Sequence, residues 1–183
     1  MLWLAVVAAG NTAWTSEESA RAALIERLYH QEAVSLVRLA RLFTDDRTGA
    51  EDIVQEAFIR LYRAAERIED TEKSAAYLRS IVLNLARDQN RRGLLSLRHQ
   101  DSMIDHKTPD MPEDEVVKTE SQAEVINALN GLSPRQRDCL VLRFYMGLTE
   151  KQIAVTMAIS PNSVKTHCQR GMAILAGVLG SEG

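Results

Sequence analysis

Apolar residues recur at helical spacing in two separate blocks of the chain, and no stretch alternates apolar and polar residues as a strand would. The blocks cover residues 22–99 and 122–183. Between them, residues 100–121 hold seven acidic residues, two basic residues and two prolines without a sustained period. Such a strip has no apolar face to bury. The sequence therefore predicts an all-α protein of two small helical domains joined by a flexible acidic linker.

The first 21 residues stand apart from both blocks. Leu2 to Ala9 form an unbroken apolar run, which is too short to span a bilayer because a spanning helix needs about 20 residues. No Lys or Arg precedes the run, unlike in a secretory signal. We expect residues 1–21 to be an extension that need not be ordered, and the protein to be cytoplasmic without membrane insertion.

Composition excludes several functional classes. Cys139 and Cys168 are the two cysteines, and their spacing matches neither a disulfide scaffold nor a zinc site. The chain has no Gly-rich phosphate loop, nucleophile elbow or metal-spaced cluster. We expect no catalytic residues, no metal and no cofactor, and hence no enzyme. The formal charge of −3 also argues against a free-standing DNA-binding protein.

Three helices are predicted in the first block. The first covers about 22–43, and Thr48 with Glu51 forms a capping box for the second. A polar loop at 69–73 precedes the third helix, at about 74–92. The residues expected to face inward are Leu24, Leu28, Val37, Ala40, Phe43, Val54, Phe58, Leu61, Ala65, Tyr77, Leu78, Ile81 and Leu85.

The sequence marks the helix boundaries more clearly in the second block than in the first. Ser133 and Pro134 make an N-cap followed by Pro at the first helical position, and Gly147 can end that helix in a left-handed conformation. Thr149 and Gln152 form a capping box for a short helix ending near Met157. The Ser-Pro signal recurs at 160–161, before a final helix to about residue 179.

The last two helices are predicted to form a helix-turn-helix. The inward face of the final helix would pack on the preceding helix, at Ile153, Ala154 and Met157. That inward face comprises Val164, Cys168, Gly171 and Leu175. The opposite side carries Asn162, Ser163, Lys165, Thr166, Gln169, Arg170 and Ala173. Asn and Gln can read adenine edges, while Lys and Arg reach guanine or phosphate, so this side suits the major groove. An ordinary amphipathic hairpin with a polar outer face is the alternative.

Two further surface stripes occur in the first block. On the second helix, Ile59 is expected to be exposed among charged residues. Such a residue can anchor a protein partner, but single exposed apolar residues are also common without any function. The third helix carries hydrogen-bonding and cationic residues at steps of four, three and four: Ser80, Asn84, Arg87 and Arg91, with Arg92 beside them. Such a stripe fits nucleic-acid contact or a solvated face.

The stretches AEDIVQEAFIRLYRA, AYLRSIVLNLARDQNRR and LSPRQRDCLVLRFYMGLTEKQIAVTMAISPNSVKTHCQRGMAIL together resemble a known family. The chain resembles the extracytoplasmic-function (ECF) group of sigma-70 factors of bacterial RNA polymerase over residues 24–98 and 122–179. The resemblance implies a sigma factor that binds the β and β′ subunits of core RNA polymerase and directs promoter-specific initiation. The apolar extension is not a family feature, and Tyr77 stands where the family usually has Trp.

The resemblance assigns residues to three surfaces. The core-polymerase surface is Asp52, Gln55, Glu56, Ile59 and Arg63. The surface that recognises and melts the −10 element is Tyr77, Ser80, Asn84, Arg87, Arg91 and Arg92. The surface that reads the −35 duplex is Ser160, Asn162, Ser163, Lys165, Thr166, Gln169 and Arg170. The loop Ile68–Ala76 matches one that captures a flipped base of the single strand. Family habit also implies an anti-sigma factor as a partner.

Domain roles follow from the same resemblance. Residues 22–99 would bind core polymerase and the −10 element, 100–121 would be the linker, and 122–183 would bind the −35 element. The linker would let the two blocks fold together in the free protein and cover the DNA surfaces. The alternatives are a stand-alone LuxR-like helix-turn-helix regulator, against which the strand-free first block argues, and a helical interaction protein with no DNA role.

Overall fold

The computed structural model describes residues 15–44, 47–64, 70–100 and 120–179, and all regular structure in these ranges is helical. The elements are α1 (Ser16–Arg41), α2 (Arg47–Ala64), α3 (Thr71–Gln100), α4 (Glu120–Asn130), α5 (Pro134–Leu140, continued by a π-helical turn at Val141–Tyr145), α6 (Glu150–Met157) and α7 (Pro161–Leu179). The all-α prediction is confirmed. None of these helices is long and apolar enough to cross a bilayer. Residues 1–14 of the predicted extension (1–21) and residues 101–119 of the predicted linker (100–121) lie outside the described ranges, whereas residues 16–21, 100, 120 and 121 are helical.

The N-terminal half is a bundle of α1, α2 and α3, each of which packs on the other two. The buried side chains of its core are aliphatic apart from those of Phe43 and Phe58. The inward positions predicted on α2 are buried, apart from Ala65, which lies outside the described residues. On α3 the buried arc is centred on Ala75, Leu78 and Val82. This arc leaves Tyr77 at its edge and 40% exposed, so the inward position predicted for Tyr77 is wrong.

Side-chain caps set the helix starts in this half. Thr15 caps α1, accepting from the Glu18 N–H at 3.2 Å while the Glu18 carboxylate accepts from the Thr15 N–H at 2.9 Å. The helix therefore begins six residues before the predicted start at 22 and ends at Arg41. The Asp70 carboxylate accepts from the Glu72 N–H at 2.8 Å.

The predicted starts of all three helices in this half are therefore wrong, and α3 also runs past its predicted end at 92, to Gln100. Because Asp70 caps α3, the residues from Thr71 onward are helical. Residues 71–73 of the predicted loop at 69–73 therefore belong to the helix. The predicted capping box at Thr48 is also wrong, because α2 already begins at Arg47 and Thr48 lies inside its first turn.

The boundaries predicted for the C-terminal half are confirmed. Gln136 accepts from the Ser133 N–H at 3.1 Å, and Thr149 and Gln152 cap each other's backbone N–H groups. Gly147 has φ of 67°, the left-handed conformation that glycine adopts without a steric penalty. Helix α7 packs on α4, α5 and α6.

The two halves pack against each other along a surface that we call the seam. Helix α3 contacts α6, and the buried residues of both halves belong to one apolar cluster. The Arg137 guanidinium lies 4.7 Å from the centre of the Phe43 ring. A cleft of about 260 Å³ lies between Ser35 and Arg38 of α1 and Tyr145 and Met146 after α5. The expectation that the two blocks fold together is confirmed.

One ion pair is buried inside the N-terminal half. Arg79 points into the bundle with its side chain 9% exposed and forms a two-pronged pair with Glu32, whose side chain is 15% exposed. The Arg79 Nε donates to Glu32 Oε2 at 3.1 Å, and a second bond joins Nη2 to Oε1. This pair ties α1 to α3, and the removal of one partner would leave a buried charge unpaired.

We expect Glu32→Ala to lower the free energy of unfolding by about 3 kcal/mol, because the Arg79 cation stays buried without its partner. Urea unfolding followed by far-UV circular dichroism measures the change. The matched control is Glu51→Ala, which removes the carboxylate of the solvent-exposed Arg47–Glu51 pair and should cost about 0.5 kcal/mol or less. Equal losses in the two variants would contradict the structural role of the Glu32 pair.

Candidate nucleic-acid interface

The helix-turn-helix is built by α6 and α7 on the support of α5. Ala158 occupies the left-handed region with φ of 53° and turns the chain between the two helices. Ser160 caps α7, and its hydroxyl accepts from the Ser163 N–H at 3.1 Å. The capping hydroxyl also pairs with the Ser163 hydroxyl at 2.8 Å. The first turn of α7 is thus fixed by the residue that the Ser-Pro signal indicated.

The inward face of α7 is the one predicted, but it meets an additional partner. Val164 and Gly171 are buried, while Cys168 and Leu175 are half-buried. A Cβ on Gly171 would lie 2.8 Å from Cδ1 of Leu140 and 3.4 Å from Cβ of Gln136. Gly171 therefore packs on α5 and not on α6 as predicted. The absence of a side chain there allows α7 to approach its supporting helix closely.

The outward face of α7 is open to solvent. Asn162, Lys165, Gln169 and Arg170 are exposed, while Ser163 and Thr166 are half-buried. The Thr166 hydroxyl donates to the Asn162 carbonyl at 3.0 Å and so points along its own helix. The exposed groups are two amides and two cations on a helix with a fixed start. This combination can reach base edges and phosphates in a major groove.

The polar stripe of α3 is only partly open. Asn84 is exposed and Ser80 is half-buried, with the Ser80 hydroxyl donating to the Tyr77 carbonyl at 2.7 Å. Arg91 lies in the helix, as does Arg92 next to it. The predicted base-capturing loop Ile68–Ala76 is wrong over its second part, because the residues from Thr71 onward are helical; residues 68 and 69 lie outside the described ranges.

Arg87 of this stripe faces the C-terminal half. Its Nη1 lies 3.2 Å from Oδ2 of Asp138 on α5, its Nη2 donates to the Asn84 side chain at 2.6 Å, and its Nε donates to the Leu83 carbonyl at 3.2 Å. The guanidinium is held by three partners, and the Arg87 side chain is 32% exposed.

Burial dominates the electrostatics around Asp138. It raises the pKa of the Asp138 carboxyl above its ordinary value, and the Arg87 and Arg137 cations offset only part of that change. Burial likewise lowers the pKa of Arg137. Among the described residues, Oδ1 of Asp138 and Nε of Arg137 are buried without a hydrogen-bond partner. The seam thus holds charged groups whose hydrogen bonding is incomplete.

The stripe on α2 has the predicted layout with one difference. Asp52, Gln55 and Arg63 are exposed, whereas Ile59 is half-buried and not exposed as predicted. Glu56 is half-buried and accepts from Arg60 Nε at 2.7 Å. The surface therefore presents two charges of opposite sign and an amide around a partly accessible apolar side chain.

Sequence reasoning missed Arg79, Arg137 and Asp138. Each lies on a helix face that the apolar pattern left unassigned, and each is held by a partner distant in the chain. No local signal marks such long-range partners.

The cysteines are not activated. Burial, followed by the neighbouring Cys168, raises the pKa of the Cys139 thiol to about 12, and burial also raises the pKa of Cys168. Thiols of this kind are poor nucleophiles. Within the described ranges, no three His, Cys, Asp or Glu side chains gather as a metal site would require.

The fold and the exposed surfaces define a class of protein, namely a two-part helical protein whose second part is a helix-turn-helix. Family models give the class a name. The model described as "Sigma-70 region 2" matches residues 28–93, and the model described as "Sigma-70, region 4" matches residues 122–175. The two matches fall on the N-terminal and C-terminal halves.

Curated relatives agree with the family models. The chain is 32% identical over 154 residues to the ECF RNA polymerase sigma factor SigL of Mycobacterium tuberculosis, covering 81% of this chain and 85% of the relative. It is 29% identical over 142 residues to the RNA polymerase sigma-E factor of Streptomyces coelicolor, covering 77% of each chain. The chain belongs to the ECF RNA polymerase sigma factors of the sigma-70 family.

Solved structures share the fold. CnrH, determined in complex with the cytosolic domain of CnrY, superposes with a TM-score of 0.64 at 24% identity, covering 100% of this chain and 97% of the other. The sigma factor RpoE of Bartonella quintana, determined with the anti-sigma factor NepR, gives a TM-score of 0.55 at 20% identity, covering 82% and 96%. These likenesses concern the backbone fold alone.

We expect Gly171→Val to lower the free energy of unfolding by about 1–3 kcal/mol, because the added atoms would push α7 away from α5. Thermal unfolding measures the change. Gly177→Val is the matched control, since it makes the same replacement in the same helix, where nothing lies within 4 Å of the added Cβ. Equal stability of the two variants would contradict the close packing at Gly171.

Proposed function

We propose that this sigma factor binds core RNA polymerase through α2, recognises and melts the −10 promoter element with α3, and reads the −35 element as duplex with α7. The observation that carries the proposal is the outward face of α7. Its exposed Asn162, Lys165, Gln169 and Arg170 lie opposite the buried Val164 and Gly171 on a capped helix. The domain roles proposed for 22–99 and 122–183 follow the same division, with 100–121 as the linker.

The face of α7 is chemically suited to base readout. Amide side chains can pair with adenine edges, and cations can reach guanine or phosphate. The backbone N–H groups of the first turn favour a phosphate near the N-terminus of the helix. Ser160, Ser163 and Thr166 add small hydroxyl groups, which allow the backbone to approach the groove closely.

Strand opening at the −10 element would draw its free energy from binding. Unstacking a base costs a few kcal/mol, and no nucleotide-hydrolysing motif occurs in the sequence. Polar and cationic groups on α3 can offset that cost for bases that fit, through contacts to the single strand. The proposed groups are Tyr77, Ser80, Asn84, Arg87, Arg91 and Arg92. The protein therefore acts as a non-enzymatic initiation subunit.

The polymerase supplies the affinity that the free protein lacks. The net charge of −3 makes nonspecific attraction to DNA weak. Two DNA-reading modules mounted on one enzyme each raise the local concentration of the other at the promoter. The surface proposed to dock on the β′ subunit is Asp52, Gln55, Glu56, Ile59 and Arg63. By analogy with the solved relatives, an anti-sigma factor is a further proposed partner, and the proposed site of action is the cytoplasm.

Transcription in vitro tests the central proposal. Core RNA polymerase with this protein should yield promoter-directed transcripts from genomic fragments, and mapping their start sites would define the −10 and −35 elements. Core polymerase alone is the control. The absence of both a stable complex and specific transcripts would refute the sigma-factor function.

Cations on α7 provide a test of −35 reading. We expect Lys165→Ala and Arg170→Ala each to weaken promoter binding by holoenzyme about tenfold, since each contact is worth about 1–3 kcal/mol. Arg27→Ala, which removes an exposed cation from α1, should leave binding unchanged. Electrophoretic mobility shift at fixed salt measures the affinities. Unchanged binding by both α7 variants would favour a helical protein without a DNA role.

Two neighbouring acids on α2 provide a test of polymerase docking. Asp52 belongs to the proposed docking stripe, whereas the adjacent Glu51 is exposed and paired with Arg47 at 2.7 Å. We expect Asp52→Asn to weaken binding to core polymerase about tenfold and Glu51→Gln to leave it unchanged, because charge-assisted contacts are worth about 1.5–3 kcal/mol. Competition for core polymerase against a labelled sigma factor measures both. Equal affinities would place the docking surface elsewhere.

A further inference from the structure

Thr166 differs from its neighbours on the outward face of α7 in how its polar group is used. Asn162, Gln169 and Arg170 are exposed, so the expectation that the folded halves cover the DNA surfaces is wrong for this face. Thr166 is half-buried, and its hydroxyl donates to the Asn162 carbonyl at 3.0 Å. The O–H donor of Thr166 is therefore already bonded within its own helix.

Thr166 also occupies the centre of the outward face. At about 100° per residue, it lies about 160° around the helix from Val164, which is buried. Asn162 and Arg170 stand four positions before and after it. Gln169 stands three positions after it, and residues three or four apart are neighbours on a helix surface. In the proposed complex with duplex DNA, the centre of this face points at the base edges of the major groove.

The hydroxyl bond leaves the methyl group of Thr166 as its contact group. A threonine in a helix can bond its hydroxyl to the carbonyl four residues earlier, which uses its one O–H donor. The methyl group is attached to the same Cβ and makes no such bond, so it is free to contact another molecule. The major groove holds one matching apolar group, the C5-methyl of thymine, and no other unmodified base carries one there.

We propose that Thr166 determines base specificity by placing its methyl group against the C5-methyl of a thymine in the −35 element. The inference rests on the proposed function, since it takes α7 to be the helix that reads the −35 duplex. The hydroxyl is a positioning group, because its bond to the Asn162 carbonyl restricts rotation about the Cα–Cβ bond of Thr166. The preferred ligand is a duplex with a thymine at the centre of the helix contact, beside base pairs that the amides of Asn162 and Gln169 reach.

The alternative is a polar contact to the oxygen of Thr166. An oxygen that donates its proton to a carbonyl keeps lone pairs, which accept from the amino groups of adenine or cytosine. Two substitutions distinguish the two kinds of contact. Thr166→Ser keeps the hydroxyl and removes the methyl, whereas Thr166→Val keeps a methyl and removes the hydroxyl. Both change the outward face and leave the buried Val164 and Gly171 in place.

Replacement of thymine by uracil tests the contact at a single methyl group. Each thymine of the mapped −35 element is replaced in turn by deoxyuridine, which keeps the base pair and removes only the C5-methyl. We expect one replacement to weaken binding by wild-type holoenzyme about three- to fivefold, the effect of one lost methyl contact. Electrophoretic mobility shift at fixed salt measures the affinities. A −35 element without thymine, or one in which no replacement weakens binding, would overturn the proposal.

The protein variants assign this methyl effect to Thr166. Thr166→Ser should bind the thymine promoter about three- to fivefold more weakly than wild type. It should be insensitive to the deoxyuridine replacement, because the same contact cannot be lost twice. Thr166→Val should bind within about twofold of wild type and stay sensitive to the replacement, because a methyl group remains. Thr48→Ser, the same change at an exposed position of α2, should behave as wild type.

Two results with these variants would contradict the inference. Equal sensitivity to deoxyuridine in wild type and Thr166→Ser would show that another residue contacts the thymine. Loss of binding by Thr166→Val, with wild-type binding by Thr166→Ser, would show that the oxygen reads the base.

The same holoenzyme experiments separate this inference from the proposed function. If wild-type holoenzyme forms no specific promoter complex and directs no specific transcripts, the function fails and the inference fails with it. If wild-type holoenzyme binds its promoter specifically but responds to deoxyuridine as Thr166→Ser does, the inference fails and the function stands.

Discussion

The burial of helix α3 on several sides is the interaction on which the rest of the structure depends. Its arc of Ala75, Leu78 and Val82 closes the core with α1 and α2. The same helix also contacts α6 of the other half. One helix thus completes the N-terminal bundle, carries the proposed −10 surface and forms part of the seam. Arg87 of the proposed −10 surface is the residue that pairs across this contact, with Asp138 of α5.

Charged groups inside the protein serve two different purposes. In the Arg79–Glu32 pair, two guanidinium nitrogens each donate to one carboxylate oxygen. The pair lies between helices of the same half, where it fixes the packing of α1 against α3. The Arg87–Asp138 pair joins the two halves and leaves Oδ1 of Asp138 without a partner among the described residues. In either pair, the removal of one partner would leave a buried charge without compensation, which is costly.

Much of the fold could be predicted because its signals are local. Ser133, Thr149 and Ser160 each stand one residue before a helix, and an N-cap side chain bonds the free N–H groups of the helix that directly follows it. The start of α2 was misplaced at Thr48, where the pattern of a capping box occurs within a helix. The start of α1 was missed because the box at Thr15 and Glu18 precedes the apolar pattern.

The sequence by itself determined the helical class, the helix-turn-helix and the outward face of α7, because period and capping depend on residues within a few positions of one another. Only the tertiary structure decided that Gly171 packs on α5, that Tyr77 reaches solvent, and that Arg87 faces Asp138. The physical reason is that periodicity defines which face of a helix is apolar but not which element covers it. The partner of a buried charge is chosen by packing between segments far apart in the chain.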